Sequence, residues 1–360
     1  VTELQANSVF TVIGFKDRYT NSAFVSQTYR FVVATPTVNV RGGTFANNVE
    51  VSGDYAYVAA GPAGLHVVDV SNRRAPVLVR TLALPGNAND VRLRAPYAYV
   101  AGGSAGLHVV DVSNPLDPAL VASVDTPGEA IDLAVGSDAV FVAGGSSGVQ
   151  VIGVADAAHP AILGSLDTNG SANGVDVAGT LLAVSNSTSP PDLVDVTNLA
   201  SPQRLGGVSL GSSIRSFDVE LIPPHAYFTT RSDLRVLDVA DPRAPRFLGA
   251  FGAALSMKDI EKGALDLLFT PQVRPDTPMP IFRLGNPASP QFVSSIIFSS
   301  LGPGWGDGIG LASDSRFVYM TATLNFEFGD KPGTTGQTRL YIGQYLEIAD
   351  EQGVPPTVAL

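Results

Sequence analysis

One nine-residue string, GLHVVDVSN, occurs twice, beginning at Gly64 and again at Gly106, an offset of 42 residues. A run of prolines keeps the same frame: Pro76, Pro118, Pro160, Pro202, then Pro245 and Pro290. A chain repeating at a fixed period of this length is built from copies of one supersecondary unit, none of which can bury its apolar faces alone. Between Val91 and Asp125 the unit reads VRL, YAYVAGG, GLHVVDVSN and ALVASVD, short alternating or apolar runs broken by turn residues. That pattern specifies strands, and nowhere does an apolar i, i+3, i+4, i+7 stripe persist long enough for a helix.

Four short antiparallel strands in about 42 residues match one blade of a β-propeller, a sheet that hides both faces against its neighbours. The innermost strand, A, is expected at residues 48–51, 90–93, 132–135, 174–177, 216–219, 259–261 and 310–312. The expected fold is therefore all-β, a seven-bladed propeller of four-stranded antiparallel blades. The last blade shows no convincing fourth strand. Residues 37–41, TVNVR, follow Pro36 as VLVR follows Pro76, so an N-terminal strand is expected to close the ring, removing exposed edges.

Composition agrees. Gly 37 and Pro 26 supply many turns, hydrophobics at 45% suffice for a core, and 15% charged residues disfavour disorder. A net charge of −11 is the wrong sign for nucleic acid. With no Cys there is no disulfide framework, thiolate metal site or cysteine nucleophile. No apolar run is long enough for a spanning helix, and the chain reads as a soluble segment of a longer polypeptide.

LHVVDVSNP at Leu107, DLVDVTN beginning at Asp192 and LRVLDVADP at Leu234 resemble the LVIVD-repeat family of bacterial and archaeal β-propellers. The resemblance extends over roughly residues 43 to 295. It fades in the last two units, where Arg283 replaces the strand C aspartate. It implies the propeller fold and a place in an extracellular or cell-surface protein, and little about activity. Residues 8–35 resemble the final hairpin of an immunoglobulin-like module, or form a decorating hairpin, and GVPPTVAL resembles the opening strand of another module. The expected division is 1–36 hairpin, 37–348 propeller, and 349–360 linker or start of a following module.

Several motif matches dissolve in the repeat. Gly102-Gly103-Ser104-Ala105-Gly106 fits G-x-S-x-G, but it lies in a strand B to C hairpin, whereas a nucleophile elbow needs a strand-to-helix turn. His66 and His108 share one slot on strand C, where the next units carry Gln150 and Asp192, so half-buried strand residues are expected rather than a metal pair. Asp69, Asp111, Asp195 and Asp238 recur before the C to D turn, where a carboxylate accepts backbone N–H bonds and holds the turn.

The first residue of strand A faces the channel mouth: Asn48, Asp90, Asp132, Gly174, Ser216 and Asp259. Carboxylates converging there repel unless a cation or hydrogen bonds relieve them. Ca2+ held by Asn48, Asp90, Asp132 and Asp259 is one expectation; capping of each carboxylate's own loop is the other. Irregular loops at residues 186–191, 270–280 and 325–337, with LGPGWGDGIG at 301–310, are expected on one face. They offer Trp305, Asp307, Asp276, Glu327 and Asp330 as binding residues, Trp305 beside Asp307 forming a sugar platform.

Three functions fit. The first is a non-enzymatic extracellular module presenting that face to a protein or glycan partner, with neighbouring domains of its own polypeptide as further partners. The second is a polysaccharide-active enzyme using Asp90, Asp132, Asp259 and Asp307 as acid and base. The third is a structural spacer in a surface layer or large assembly.

Overall fold

The computed structural model describes residues 46–325 apart from 74, 169, 207–209, 211–215, 253–256, 258, 265, 272–278, 297–304 and 316, together with strands Phe10–Thr11, Tyr29–Val32, Val38–Asn39 and Gln337–Glu347. Each repeat unit folds as a meander because its tight turns permit only antiparallel pairing of successive strands. In blade one, strands A to D are Asn48–Ser52, Tyr55–Ala59, Leu65–Asp69 and Val77–Leu82. Blades two and three repeat them with strands A at Asp90–Arg94 and Asp132–Val135. Strands A of blades four, five and six are Ala172–Ala178, Ser216–Ile222 and Glu261–Lys262. All six are four-stranded sheets paired in the order A-B-C-D.

The expectation of seven four-stranded blades closed by an N-terminal strand is not what the structure shows. Among the described residues there are six such blades, and the last sheet has six strands: Phe10–Thr11, Tyr29–Val32, Gln337–Glu347, Phe317–Asn325 and Trp305–Ser313 in that spatial order, with Val38–Asn39 also on Gln337–Glu347. Length is the physical reason. Its three main strands have 9, 9 and 11 residues, against two to seven in the blades. The extra length of Gln337–Glu347 pairs with Tyr29–Val32. Of residues 37–41 only Val38 and Asn39 are described, opposite Leu340 and Arg339, and among the described residues no four-stranded blade closed by an N-terminal strand is shown. Most of residues 1–36 and all of 349–360 lie outside the described residues.

The core is a series of apolar layers between sheets. Strands B and C are buried on both faces: Ala139–Ala143 has no exposed residue. One layer joins blades one and two through Tyr57, Leu65, Val67, Val91, Val100 and Val110. The next joins Tyr99, Leu107 and Val109 to Leu133, Val142 and Ile152. The last sheet packs Tyr319, Leu340 and Ile342 on Val49, Val58 and Val68 of blade one. Strand D lies at the periphery, and a register shift against strand C recurs in each blade, as between Val67 and Val68 and between Val109 and Val110. Such bulges bend an edge strand away from pairing with other chains. Among the described residues no helix is long and apolar enough to cross a membrane.

Candidate functional site: the central channel and its mouth

Strand A has one edge paired with strand B and the other facing the channel, so its inner N–H groups need acceptors from elsewhere. The recurring carboxylates supply them across blade boundaries. Asp90 Oδ2 accepts from Leu133 N at 3.0 Å and Asp132 Oδ2 from Val175 N at 2.7 Å. Asp176 Oδ2 accepts from Leu221 N at 2.7 Å, Asp218 Oδ2 from Ile260 N at 3.2 Å, and Asp259 Oδ2 from Leu311 N at 2.9 Å. Each carboxylate thus ties its own strand A to the next one around the channel. Amides act in the same sense. Asn47 Nδ2 donates to Ala88 O and Asn89 Nδ2 to Ala130 O, both at 2.8 Å, and Asn48 Nδ2 donates to Asp90 Oδ1. Capping of the residue's own loop is therefore not the carboxylates' main role, although Asp218 Oδ1 and Asp259 Oδ1 also accept from the following N–H at 2.8 and 2.7 Å.

Two cavities lie along the channel. The mouth, about 240 Å³, is lined by Asn47, Asn48, Asn89, Asp90, Ile131, Asp132, Asn173, Phe217, Asp218 and Asp259. The inner chamber, about 230 Å³, is lined by Glu50, Arg92, Asp176, Glu220 and apolar strand residues. Arg92 stands amid this acid. Its guanidinium lies 3.6 Å from Glu50, 3.6 Å from Asp90 and 3.8 Å from Asp132, and its Nε donates to Leu133 O at 3.3 Å. Around it stand Glu50, Asp90, Asp132, Asp176, Asp218, Glu220, Asp259 and Glu261, with Lys262 as a further cation acting on Glu220.

The electrostatic consequence is proton uptake. Burial, with Asp176 nearby, pushes Glu220 up to about 8, and burial raises Asp259 to about 6. Burial together with facing carboxylates drives Asp132, Asp218 and Glu261 well above the usual range. Desolvation disfavours the charged form and a like charge adds to it.

The residues expected at the mouth are only partly those found. Asn48, Asp90, Asp132 and Asp259 do meet there. They are occupied with backbone N–H groups and Arg92, and among the described residues no group of three or more potential ligands converges on a point suited to a metal ion. Ser216 is displaced from the ring by a register shift between Ser216 and Val219, whereas Gly174 keeps the first position, opposite Ser185 as Asp90 is opposite Ala101, but brings no carboxylate. Asp218 takes the place of Ser216 in blade five and abuts Gly174 of blade four, where a Cβ would lie 2.6 Å from its Oδ1. Sequence reasoning passed over Asp176, Asp218, Glu50, Arg92, Glu220 and Glu261. The available signal was an acidic residue directly before a β-branched one on strand A, as in Asp176-Val177, Asp218-Val219 and Asp259-Ile260.

Trp305 and Asp307 fall on the first strand of the last sheet, opposite Asn325 and Thr323. Residues 305–309 of that strand precede Gly310, which abuts Asn48. They therefore rise beside the mouth by about 3.3 Å per residue. Asp276, Glu327 and Asp330 lie outside the described residues. The hairpins between strands B and C surround the same mouth, since Asn48 pairs with Ala59 and Ala59 with Leu65.

The remaining polar residues are scaffold. Asp69, Asp111, Asp195 and Asp238 each accept the N–H two residues on, at 2.8, 2.8, 2.9 and 3.0 Å. His66 Nδ1 meets Thr81 Oγ1 and His108 Nδ1 meets Ser123 Oγ, both at 2.8 Å, and His108 Nε2 meets Pro85 O at 2.9 Å. Both rings are fully buried rather than half-buried, and burial lowers His66 to about 4. The G-x-S-x-G segment forms a hairpin whose Gly103 bridges to Ala130 of the next blade.

This architecture is that of a β-propeller scaffold, and comparison with known proteins agrees. The LVIVD repeat matches residues 43–83 and 85–126. The chain thus carries LVIVD repeats, in its first two blades. No curated protein matches the chain. Among solved structures it is similar to a chain of the "Crystal Structure of Mitotic Checkpoint Complex", at 11% identity over 94% of this chain and 99% of that one, TM-score 0.66. It is also similar to the Myceliophteria thermophila Cps50 (Swd1) β-propeller domain, at 11% identity over 84% and 98%, TM-score 0.62. A third is a protein from Lactobacillus plantarum, at 14% identity over 77% and 93%, TM-score 0.61. At these identities the likeness shows the fold alone.

Proposed function

We propose that the protein is a non-enzymatic binding module, a propeller scaffold that offers the face around its channel mouth to a basic segment of a protein partner. The observation carrying this reading is the mouth itself: Asp90, Asp132, Asp218 and Asp259 converge there with Asn48, and Arg92 is the cation set among them. The carboxylate oxygens already accept backbone N–H bonds from the next blade, which assigns them to holding the ring rather than to moving protons on a substrate. What remains is a concave opening lined by carboxyl groups with raised affinity for protons, which a lysine or arginine side chain would displace, since an opposite charge favours the ionised form. An extracellular or cell-surface setting belongs to this reading and is supported by the resemblance of the repeats.

The test is titration calorimetry with an unstructured lysine-rich peptide and its glutamate-substituted counterpart, with the contact mapped by amide exchange. The reading expects salt-dependent binding of the basic peptide only, protection around the mouth, and loss of binding in Asp218→Asn. Protection on the opposite face, or equal binding by Asp218→Asn, refutes it.

A further inference from the structure

The junctions between successive sheets are not alike, and the difference isolates one of them. From blade one onward, a side chain of each strand A, or of the one or two residues before it, bonds the next sheet: Asn47 to Ala88 O, Asp90 to Leu133 N, Asp132 to Val175 N, Asp176 to Leu221 N, Asp218 to Ile260 N, and Asp259 to Leu311 N. Where the last sheet meets blade one, the positions equivalent to Asp132 and Ala134 are Gly310 and Ala312, neither of which carries an acceptor. Gly310 is held to glycine by the approach of blade one, since a Cβ there would lie 2.3 Å from Asn48 Cα. The inner N–H of Val49 turns instead to Asn48 Oδ1 of its own strand.

At this seam an arginine crosses from the C to D turn. Arg73 of blade one reaches the last sheet, donating through Nε to Tyr319 Oη at 3.3 Å and pairing through Nη2 with Asp314 at 3.5 Å. Its guanidinium also lies 5.3 Å from the centre of the Phe317 ring. Tyr319 Oη in turn donates to Asp314 Oδ2 at 2.8 Å, and Nη1 anchors the arginine at home on Asp54 at 3.1 Å. A planar guanidinium serves four such partners at once, which an ammonium does not. The corresponding turns of the other blades place Pro115, Ala157, Leu199, Pro242 and Pro287 there.

We propose that Arg73 is the clasp of the ring, fastening blade one to the last sheet at the single junction that lacks a strand A side-chain tie among the described residues, and that this seam is where the propeller opens first. The device is local: the apolar layer of Val49, Val58, Tyr319 and Leu340 lies beneath the clasp, so loosening the arginine frees the seam without dissolving the blades.

Hydrogen exchange by mass spectrometry tests this with Arg73→Met, which keeps the aliphatic stem. Peptides covering Asn48–Ser52 and Phe317–Asn325 are expected to exchange about tenfold faster while those covering Leu107–Asp111 and Val149–Gly153 keep their rates. Asp314→Asn should accelerate the same peptides, add little in the Arg73→Met background, and Arg73→Lys should fall between. Arg80→Met, which removes an exposed pair with Asp117 at the junction of blades one and two, should leave the seam unchanged. A uniform rise in exchange, no rise at all, or additive effects of the two seam substitutions overturns the proposal.

Discussion

Replacing Arg92 by Met should destabilise the protein strongly at pH 8 and weakly at pH 5.5. The guanidinium is one-quarter exposed and lies within 3.8 Å of Glu50, Asp90 and Asp132. Removing one partner of a fully buried ion pair costs about 3–5 kcal/mol, because the other charge is left uncompensated. Partial exposure puts the expected loss near the lower end, about 3 kcal/mol. In urea, with a slope of about 3 kcal/mol/M for a chain of this size, that is a fall of about 1 M in the unfolding midpoint. At pH 5.5 the acids whose affinity for protons is raised, Glu220 to about 8 and Asp259 to about 6, are largely neutral in the folded protein. Less repulsion then remains for the arginine to offset, and the loss should shrink to about 1 kcal/mol. Urea titrations followed by circular dichroism at both pH values decide the matter. Equal losses at the two pH values, or none at pH 8, would refute the electrostatic reasoning.

The remaining expectations follow from the same contacts. For the unmodified protein, Glu220 and Asp259 bind protons more tightly folded than unfolded, so stability should fall as pH rises from about 5 to 8; a rising urea midpoint over that range contradicts this. Asp111→Ala removes the bond that holds the turn at Ser113 and should cost about 1 kcal/mol by thermal or urea unfolding. Gly310→Ala forces a methyl group against the Asn48 backbone and should cost about 1–3 kcal/mol, whereas Arg80→Met on an exposed pair should stay within about 1 kcal/mol.

How far the sequence reveals this molecule differs between scaffold and channel. The 42-residue period and the alternation in YAYVA and LHVVD give the four-stranded unit directly, and blades one to three follow it strand for strand. The turn role of Asp69 and its equivalents was legible because it is local, one carboxylate and one N–H two residues apart. The last sheet was misjudged because its strands outgrow the repeat, and their length depends on the partner Tyr29–Val32, which no period announces. The channel was half legible. Asp90 and Asp132 stand in frame, but a register shift in blade five moves the facing carboxylate from Ser216 to Asp218, and blade four has glycine at the first position, Gly174, with its carboxylate two residues on at Asp176. That Arg92 is set among acids from neighbouring strands is a property of convergence, invisible while each strand is read alone.

The central claim is that strand A carboxylates carry the inner N–H groups of the next blade. Residue-resolved amide exchange by NMR tests it most directly, comparing the unmodified protein with Asp132→Ala. The amides of Leu133, Val175, Leu221, Ile260 and Leu311 should be protected although they face the channel, and Asp132→Ala should release Val175 selectively. Loop-like exchange at these five amides, or an unchanged Val175 in the variant, would contradict it.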